Sequence, residues 1–283
     1  MKPPPPPPYA LFLAAAMLLT SATCVCSANH CPNCGSTAVP YPLSTGPLCG
    51  DQLYKIRCNA GSLLFDTVNS SYPIVSIDPL SQRLVIQPAS LEPNTCVTSD
   101  FIHRGIQLNG SLPFSITKSN TVMLLNCSET LLLSPLNCSS TSLCHSYVNR
   151  TRTDSVCRNA SICCTFTPDS ATTSHMIRVH DVGCKAYNSF VNLDPDLPVD
   201  KWPDPGVEIE WALPQEPLCG SQGDCDQNST CGPDPNVEAL RRCYCKGGFS
   251  WNPIQGACFK NVTCQNHEGC GRSSKTALVA GTY

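Results

Sequence analysis

Apolar and polar positions alternate in short runs along this chain, and prolines and glycines punctuate the runs. In PIVSIDPLSQRLVIQP (residues 73–88), Val75 and Ile77 share one face of a first run. Leu84 and Ile86 share one face of a second, and Asp78-Pro79-Leu80-Ser81-Gln82 supplies the turn between them. A period of two with proline punctuation predicts half-buried β-strands. DQLYKIRC and SLLFDTV predict two more strands, separated by Asn59-Ala60-Gly61. NTVMLLNC (residues 120–127) predicts a fully apolar strand, and GVEIEWAL a strand with Val207, Ile209 and Trp211 on its buried side. The expected fold is mostly β and disulfide-rich, with several small cysteine-rich domains in series.

One stretch departs from this pattern. After Met1-Lys2 and six prolines, YALFLAAAMLLTSATCVCSA is almost continuously apolar and ends in small residues. A short positive start, an apolar middle and a small-residue end predict a secretory signal peptide over residues 1–28. The run falls short of the ~20 apolar residues that a membrane span needs, and no later stretch reaches that length. Cysteine usage agrees with export. Of 22 cysteines, Cys24 and Cys26 fall in the signal, which leaves an even 20 for disulfides in an oxidising compartment. Eight Asn-X-Ser/Thr sequons, at Asn69, Asn109, Asn126, Asn137, Asn149, Asn159, Asn228 and Asn261, predict a glycosylated, extracellular surface. Net charge is −3, so no global basic field exists for nucleic acid or anionic membranes.

Three zones follow the signal. Residues 29–131 carry most of the alternating runs. Residues 132–215 hold Cys138, Cys144, Cys157, the vicinal Cys163-Cys164 and Cys184, and they end in GVEIEWAL after a proline-rich linker. Adjacent cysteines rarely bond each other, because the geometry is strained, so Cys163 and Cys164 are expected to reach different partners. The third zone, residues 216–270, spaces its cysteines C-x5-C-x5-C-x11-C-x-C-x12-C (Cys219, Cys225, Cys231, Cys243, Cys245, Cys258), with Gly247-Gly248-Phe249 after the C-x-C. So small a segment cannot hold itself together by burial alone. A tail, residues 271–283, completes the chain.

These residues carry a family resemblance. The third zone resembles an EGF-like module, and that resemblance implies the pairing Cys219–Cys231, Cys225–Cys243 and Cys245–Cys258. LPQEPLC lacks the acidic run that calcium-binding versions place before the first cysteine, so no calcium site is expected there. CPNCG…VPYPLSTGPLCGDQLYKIRC resembles the galacturonan-binding domain of plant wall-associated receptor kinases. CCTFTPDSATTSHMIRVHDVGCKAYNSF through VEIEW resembles the cysteine-rich C-terminal region that accompanies it. The resemblance implies a non-catalytic extracellular protein that binds pectin in the cell wall. Members of that family continue into a transmembrane helix and a cytoplasmic kinase. Here no Gly-rich loop, Val-Ala-Ile-Lys strand or His-Arg-Asp loop is found, so the expectation is an ectodomain-like chain without catalysis or cofactor. The pairing of Cys31, Cys34, Cys49, Cys58, Cys96, Cys127, Cys138, Cys144, Cys157, Cys163, Cys164, Cys184, Cys264 and Cys270 stays open.

Candidate chemistry is sparse. Cys31-Pro32-Asn33-Cys34 has the C-x-x-C spacing of a redox site, but such a site sits at a helix N-terminus, and GSTAVPYPLSTGP follows without helical period. The six histidines (30, 103, 145, 175, 180, 267) offer no paired metal spacing except His175/His180, which read as strand or loop surface. Galacturonan is a polyanion, so its binder needs cations; Arg grips a carboxylate bidentately and Lys acts as a point charge. The first zone offers Lys55, Arg57, Arg83, Arg104 and Lys118, five cations against six acids, with Lys55 and Arg57 sharing a strand face and His103 beside Arg104. Tyr41 is the candidate for stacking on a sugar face. The alternative partner is a peptide or receptor ectodomain, which would make the chain a decoy or co-receptor.

Overall fold

A computed structural model describes residues 30–128, 136–150, 155–158, 162–171, 173–180 and 182–261. The expected signal peptide, the Asn159 sequon, Cys264, Cys270 and the tail lie outside the described residues. The protein is mostly β, as its alternation predicts. Fifteen strands are described: β1 (Arg57–Asn59), β2 (Ser62–Asp66), β3 (Ser71–Asp78), β4 (Arg83–Ile86), β5 (Gly105–Gln107), β6 (Phe114–Ile116), β7 (Asn120–Leu125), β8 (Cys164–Phe166), β9 (Met176–Arg178), β10 (Ala186–Val191), β11 (Val207–Trp211), β12 (Ser229–Pro233), β13 (Arg241–Cys245), β14 (Phe249–Asn252) and β15 (Ala257–Lys260). One α-helix, α1 (Leu143–Arg150), and several single turns of 3-10 helix complete the described elements.

The largest sheet runs β1-β2-β3-β4-β11-β6. Strand β11, from the second zone, lies antiparallel between β4 and β6 of the first, with Ile209 opposite both Leu84 and Ile116. The two zones therefore share one sheet and one core. Val207, Ile209 and Trp211 point inward, as the alternation predicts, onto Leu84, Ile86, Phe114 and Ile116. β7, apolar from Val122 to Leu125, sits between β8 and β10 in a second, three-stranded sheet, and those four residues are all buried. A third pairing, β5 with β9, forms a short ribbon.

Two local readings differ from the sequence pattern. DQLYKIRC is a turn of 3-10 helix (Gln52–Tyr54), capped by the Asp51 carboxylate on the Leu53 amide, and strand begins only at Arg57. The first run also breaks its period: the β3–β4 register shifts between Ile74 and Ser76, and this bulge turns Val75 outward to 63% exposure. A bulge re-aims one side chain and is blind to a simple alternation rule.

All eighteen described cysteines are paired. Cys31 bonds Cys49 and Cys34 bonds Cys58, so the two halves of C-x-x-C reach separate partners and anchor the chain entry to the first sheet. Cys96 reaches Cys157, and Cys127 reaches Cys184. The vicinal pair divides, with Cys164 bonded to Cys138 and Cys163 to Cys144 on α1. The third zone closes Cys219–Cys231, Cys225–Cys243 and Cys245–Cys258 across its two hairpins.

Between the two larger sheets lies a buried polar knot. Asp100 is 3% exposed and accepts hydrogen bonds from the hydroxyls of Tyr72 (2.5 Å), Tyr187 (2.9 Å) and Thr98 (2.9 Å). Burial, and then the negative charge beside them, push both tyrosine hydroxyls well above their ordinary range, so they donate at every physiological pH. Removing the acceptor is therefore worse than removing one donor. Asp100→Ala strands two buried tyrosine hydroxyls and should cost about 2–4 kcal/mol, against about 1 kcal/mol for Tyr187→Phe. Urea unfolding with the disulfides intact reads both, and equal losses would contradict this account of the knot.

Candidate binding surfaces

The exposed side of the six-stranded sheet takes two of the expected ligand cations out of play. Lys55 and Arg57 flank the buried Ile56 and are both exposed, Lys55 before the strand and Arg57 at its first residue. Arg57, however, grips Asp66 on the neighbouring strand with two bonds, Nη2 to Oδ1 at 2.8 Å and Nε to Oδ2 at 3.2 Å, and also donates to the Ser71 hydroxyl. Arg83 donates to Glu208 at 3.0 Å. Glu208 is itself mostly buried: it accepts from the Thr117 hydroxyl at 2.7 Å, and its backbone is clasped on both sides by the Asn120 amide. Arg83 thus neutralises a carboxylate that closes the β11 junction. Lys55 and Lys118 are exposed, and neither has a carboxylate partner among the described residues.

Tyr41 is not available to a sugar. It is 4% exposed and packs edge-on to Trp251 of β14, with ring centres 6.3 Å apart. Gly256 closes the contact: its φ is +63°, and a Cβ there would come within 2.7 Å of the Tyr41 ring. Burial pushes the Tyr41 hydroxyl far up, with Asp51 and then Tyr54 adding to the shift. The tyrosine expected at a binding face instead docks the third zone onto the first. Tyr54 is likewise internal, donating to the Ala212 carbonyl at 2.9 Å, with burial and then Asp51 raising its pKa to about 12.

Arg104 lies elsewhere. It ends the 3-10 turn Phe101–His103 in the left-handed region, φ +67°, and its carbonyl accepts from Val179 at 3.3 Å. The next residue, Gly105, stands opposite Arg178 on β9. Only glycine fits there, because a Cβ would lie 2.3 Å from the Ile177 carbonyl. Along β9 and the two residues after it, Ile177 and Val179 are buried, while Arg178 and His180 are exposed. His103 is exposed beside Arg104, and His180 packs its ring on Phe101 at 5.1 Å. The ribbon thus gathers His103, Arg104, Arg178 and His180 at one end. Arg178 has no carboxylate partner among the described residues. Its period-two setting in MIRVH was legible, but nothing local says that residue 178 pairs with residue 105.

The sequons differ in access. Asn69, Asn109, Asn137, Asn149 and Asn261 are exposed. Asn126 and Asn228 are half-buried, and their side-chain amides donate to the carbonyls of Cys96 and Cys258. Two clefts among the described residues bear on binding. The larger, 760 Å³, opens between residues 87–95, the Val75 bulge, Val156 and residues 204–205. The smaller, 410 Å³, runs along β6 and β11. The Trp211 indole N–H and His175 Nδ1 beside it lack partners among the described residues, but both atoms are closed off from solvent and so present nothing to a visitor. Every described cysteine being in a disulfide, none is a thiolate ligand or nucleophile. Among the described residues no helix is long and apolar enough to cross a membrane.

A mostly β, disulfide-stapled chain is the class that these features define. Its relatives are plant receptor proteins. The chain is homologous to wall-associated receptor kinase-like 20 of Arabidopsis thaliana, 46% identical over 89% of its length, and to wall-associated receptor kinase-like 15 of the same plant, also 46% identical over 89%. It spans 39% and 41% of those two proteins. No family model and no solved structure matches it.

The Arg57 grip has a measurable signature. Partial burial raises the Asp66 pKa, but the hydrogen bonds from Arg57 and Ser71 and the guanidinium charge outweigh it, and the carboxyl is held below its usual range. A depressed carboxylate stabilises the fold above the unfolded-state value of about 4 and loses that contribution as pH falls through the lower folded value. The side-chain carboxyl resonance of Asp66 should therefore titrate below the ordinary range and move up in Arg57→Ala. An unchanged midpoint would show that the pair is not formed.

Proposed function

We propose that this chain is a non-catalytic, extracellular polysaccharide-binding protein, the ligand-binding portion of a receptor-type architecture, and that it holds pectic galacturonan. The observation that carries the reading is the cationic end of the β5–β9 ribbon. Two exposed arginines come there from segments some seventy residues apart: Arg178 lies opposite Gly105, and Arg104 precedes that glycine. An exposed guanidinium can take a uronate carboxylate bidentately; Arg178, whose Nε donates to the Met176 sulfur, would meet the carboxylate with its terminal nitrogens, and the exposed His103 can pair with a sugar hydroxyl. The names of the relatives, which place them at the wall, support the same reading. Secretion through residues 1–28 and glycosylation at the exposed sequons belong to this proposal. Binding here is electrostatic and surface-exposed, so it weakens as salt rises.

Retention of the folded, oxidised chain on immobilised polygalacturonate tests the reading. Arg104→Ala/Arg178→Ala should release the protein at markedly lower salt. Arg57→Ala should leave retention near the starting value, because that guanidinium is already committed to Asp66. Retention that resists both high salt and the double substitution would overturn the assignment.

A further inference from the structure

The 760 Å³ cleft is of the opposite electrical kind. Among the described residues its lining carries two charged side chains, Glu92 and Asp204, both exposed acids, and no lysine, arginine or histidine. Between them the walls mix apolar side chains with the polar Gln87, Ser90, Asn94, Thr95 and Asn188. Val75 is turned into the cleft by the β3 bulge, and Leu91, Pro93 and Val156 face it. Val75 is 63% exposed and Val156 is 38% exposed. Apolar side chains gathered in a concave site, with charge of one sign at the edge, mark an interaction surface rather than scattered exposure.

The cleft is also pre-formed. Thr95 on one wall and Val156 on the other each precede a cysteine of the same disulfide, Cys96–Cys157, whose Cα atoms lie 5.0 Å apart. The first wall is held as a tight hairpin by Glu92 N to Val97 O at 2.8 Å and Thr95 N to Glu92 O at 3.1 Å. The floor includes Tyr187, fixed from below by Asp100. A site whose walls are cross-linked in advance loses little conformational entropy when it is filled.

We propose that this cleft docks an extended peptide carrying a basic side chain next to an aliphatic one. The aliphatic group would lie between Val75, Leu91 and Val156, and the cation between Glu92 and Asp204. A polyuronate is disfavoured there, since its carboxylates would meet two acids. The two surfaces therefore sort ligands by charge: polyanion on the β5–β9 ribbon, cationic peptide in the cleft.

Panning a linear peptide display library on the full, oxidised chain tests this, followed by fluorescence anisotropy of the enriched peptides. Enrichment of sequences pairing Lys or Arg with Leu, Ile or Val is expected. Glu92→Lys/Asp204→Lys should weaken those peptides by about tenfold or more. The milder Glu92→Gln/Asp204→Asn, which adds no charge, should weaken them in the same direction, so a folding fault in the reversal variant cannot decide the matter. Polygalacturonate retention should be unchanged in both, which keeps this proposal separable from the pectin reading. No basic-aliphatic consensus, affinity indifferent to both variants, or displacement of the peptides by oligogalacturonide would each overturn it.

Discussion

Strand β11 is the part on which the rest depends. Five residues made late in the chain fill the gap between β4 and β6, so the main sheet is complete only when a segment far downstream of both has been brought back. Its inward side, Val207, Ile209 and Trp211, is almost wholly buried, and burial of such side chains is worth roughly 1.5–3 kcal/mol each. Its other side places Glu208 in the sheet, where Thr117, Asn120 and Arg83 satisfy it. A buried carboxylate left unmatched would be costly, so this cluster fixes the register of the junction as well as closing it. The disulfides reinforce the same geometry by limiting how far the unfolded chain can spread.

That closure shapes what the surface can offer. Arg83 serves the junction and Arg57 serves the sheet edge, so neither is free to act as a ligand group. The cations that the fold leaves on display come from turns and from the β5–β9 ribbon, whose buried Ile177 and Val179 belong to the same core as β11. The acidic cleft depends on the knot at Asp100 and on Cys96–Cys157. Both proposed surfaces thus rest on rigid parts of the body, and they differ in charge because of which side chains the core has already claimed.

Much of the architecture could be read from the sequence. Period-two alternation located β3, β4 and β11, a continuous apolar run located β7, and the spacing of the last six described cysteines matched a known module whose pairing the structure shows. The vicinal cysteines divide as strain requires. The site was less legible. Pairing of Arg57 with Asp66 and of Arg83 with Glu208 is a tertiary fact, so residue type alone overstated the free charge. Tyr41 looked like a sugar platform because nothing near it in sequence reveals Gly256 and Trp251, more than two hundred residues away. Arg178 was passed over because its value comes from standing opposite Gly105. The bulge at Val75 hid the cleft, since alternation assigned that residue inward.

Hydrogen–deuterium exchange with and without oligogalacturonide addresses the central claim most directly. The account predicts that β11 amides are strongly protected before any ligand is added, and that the added protection falls on residues 104–107 and 176–180. Rapid exchange across residues 207–211 in the free protein, or ligand protection centred on residues 55–59, would contradict it.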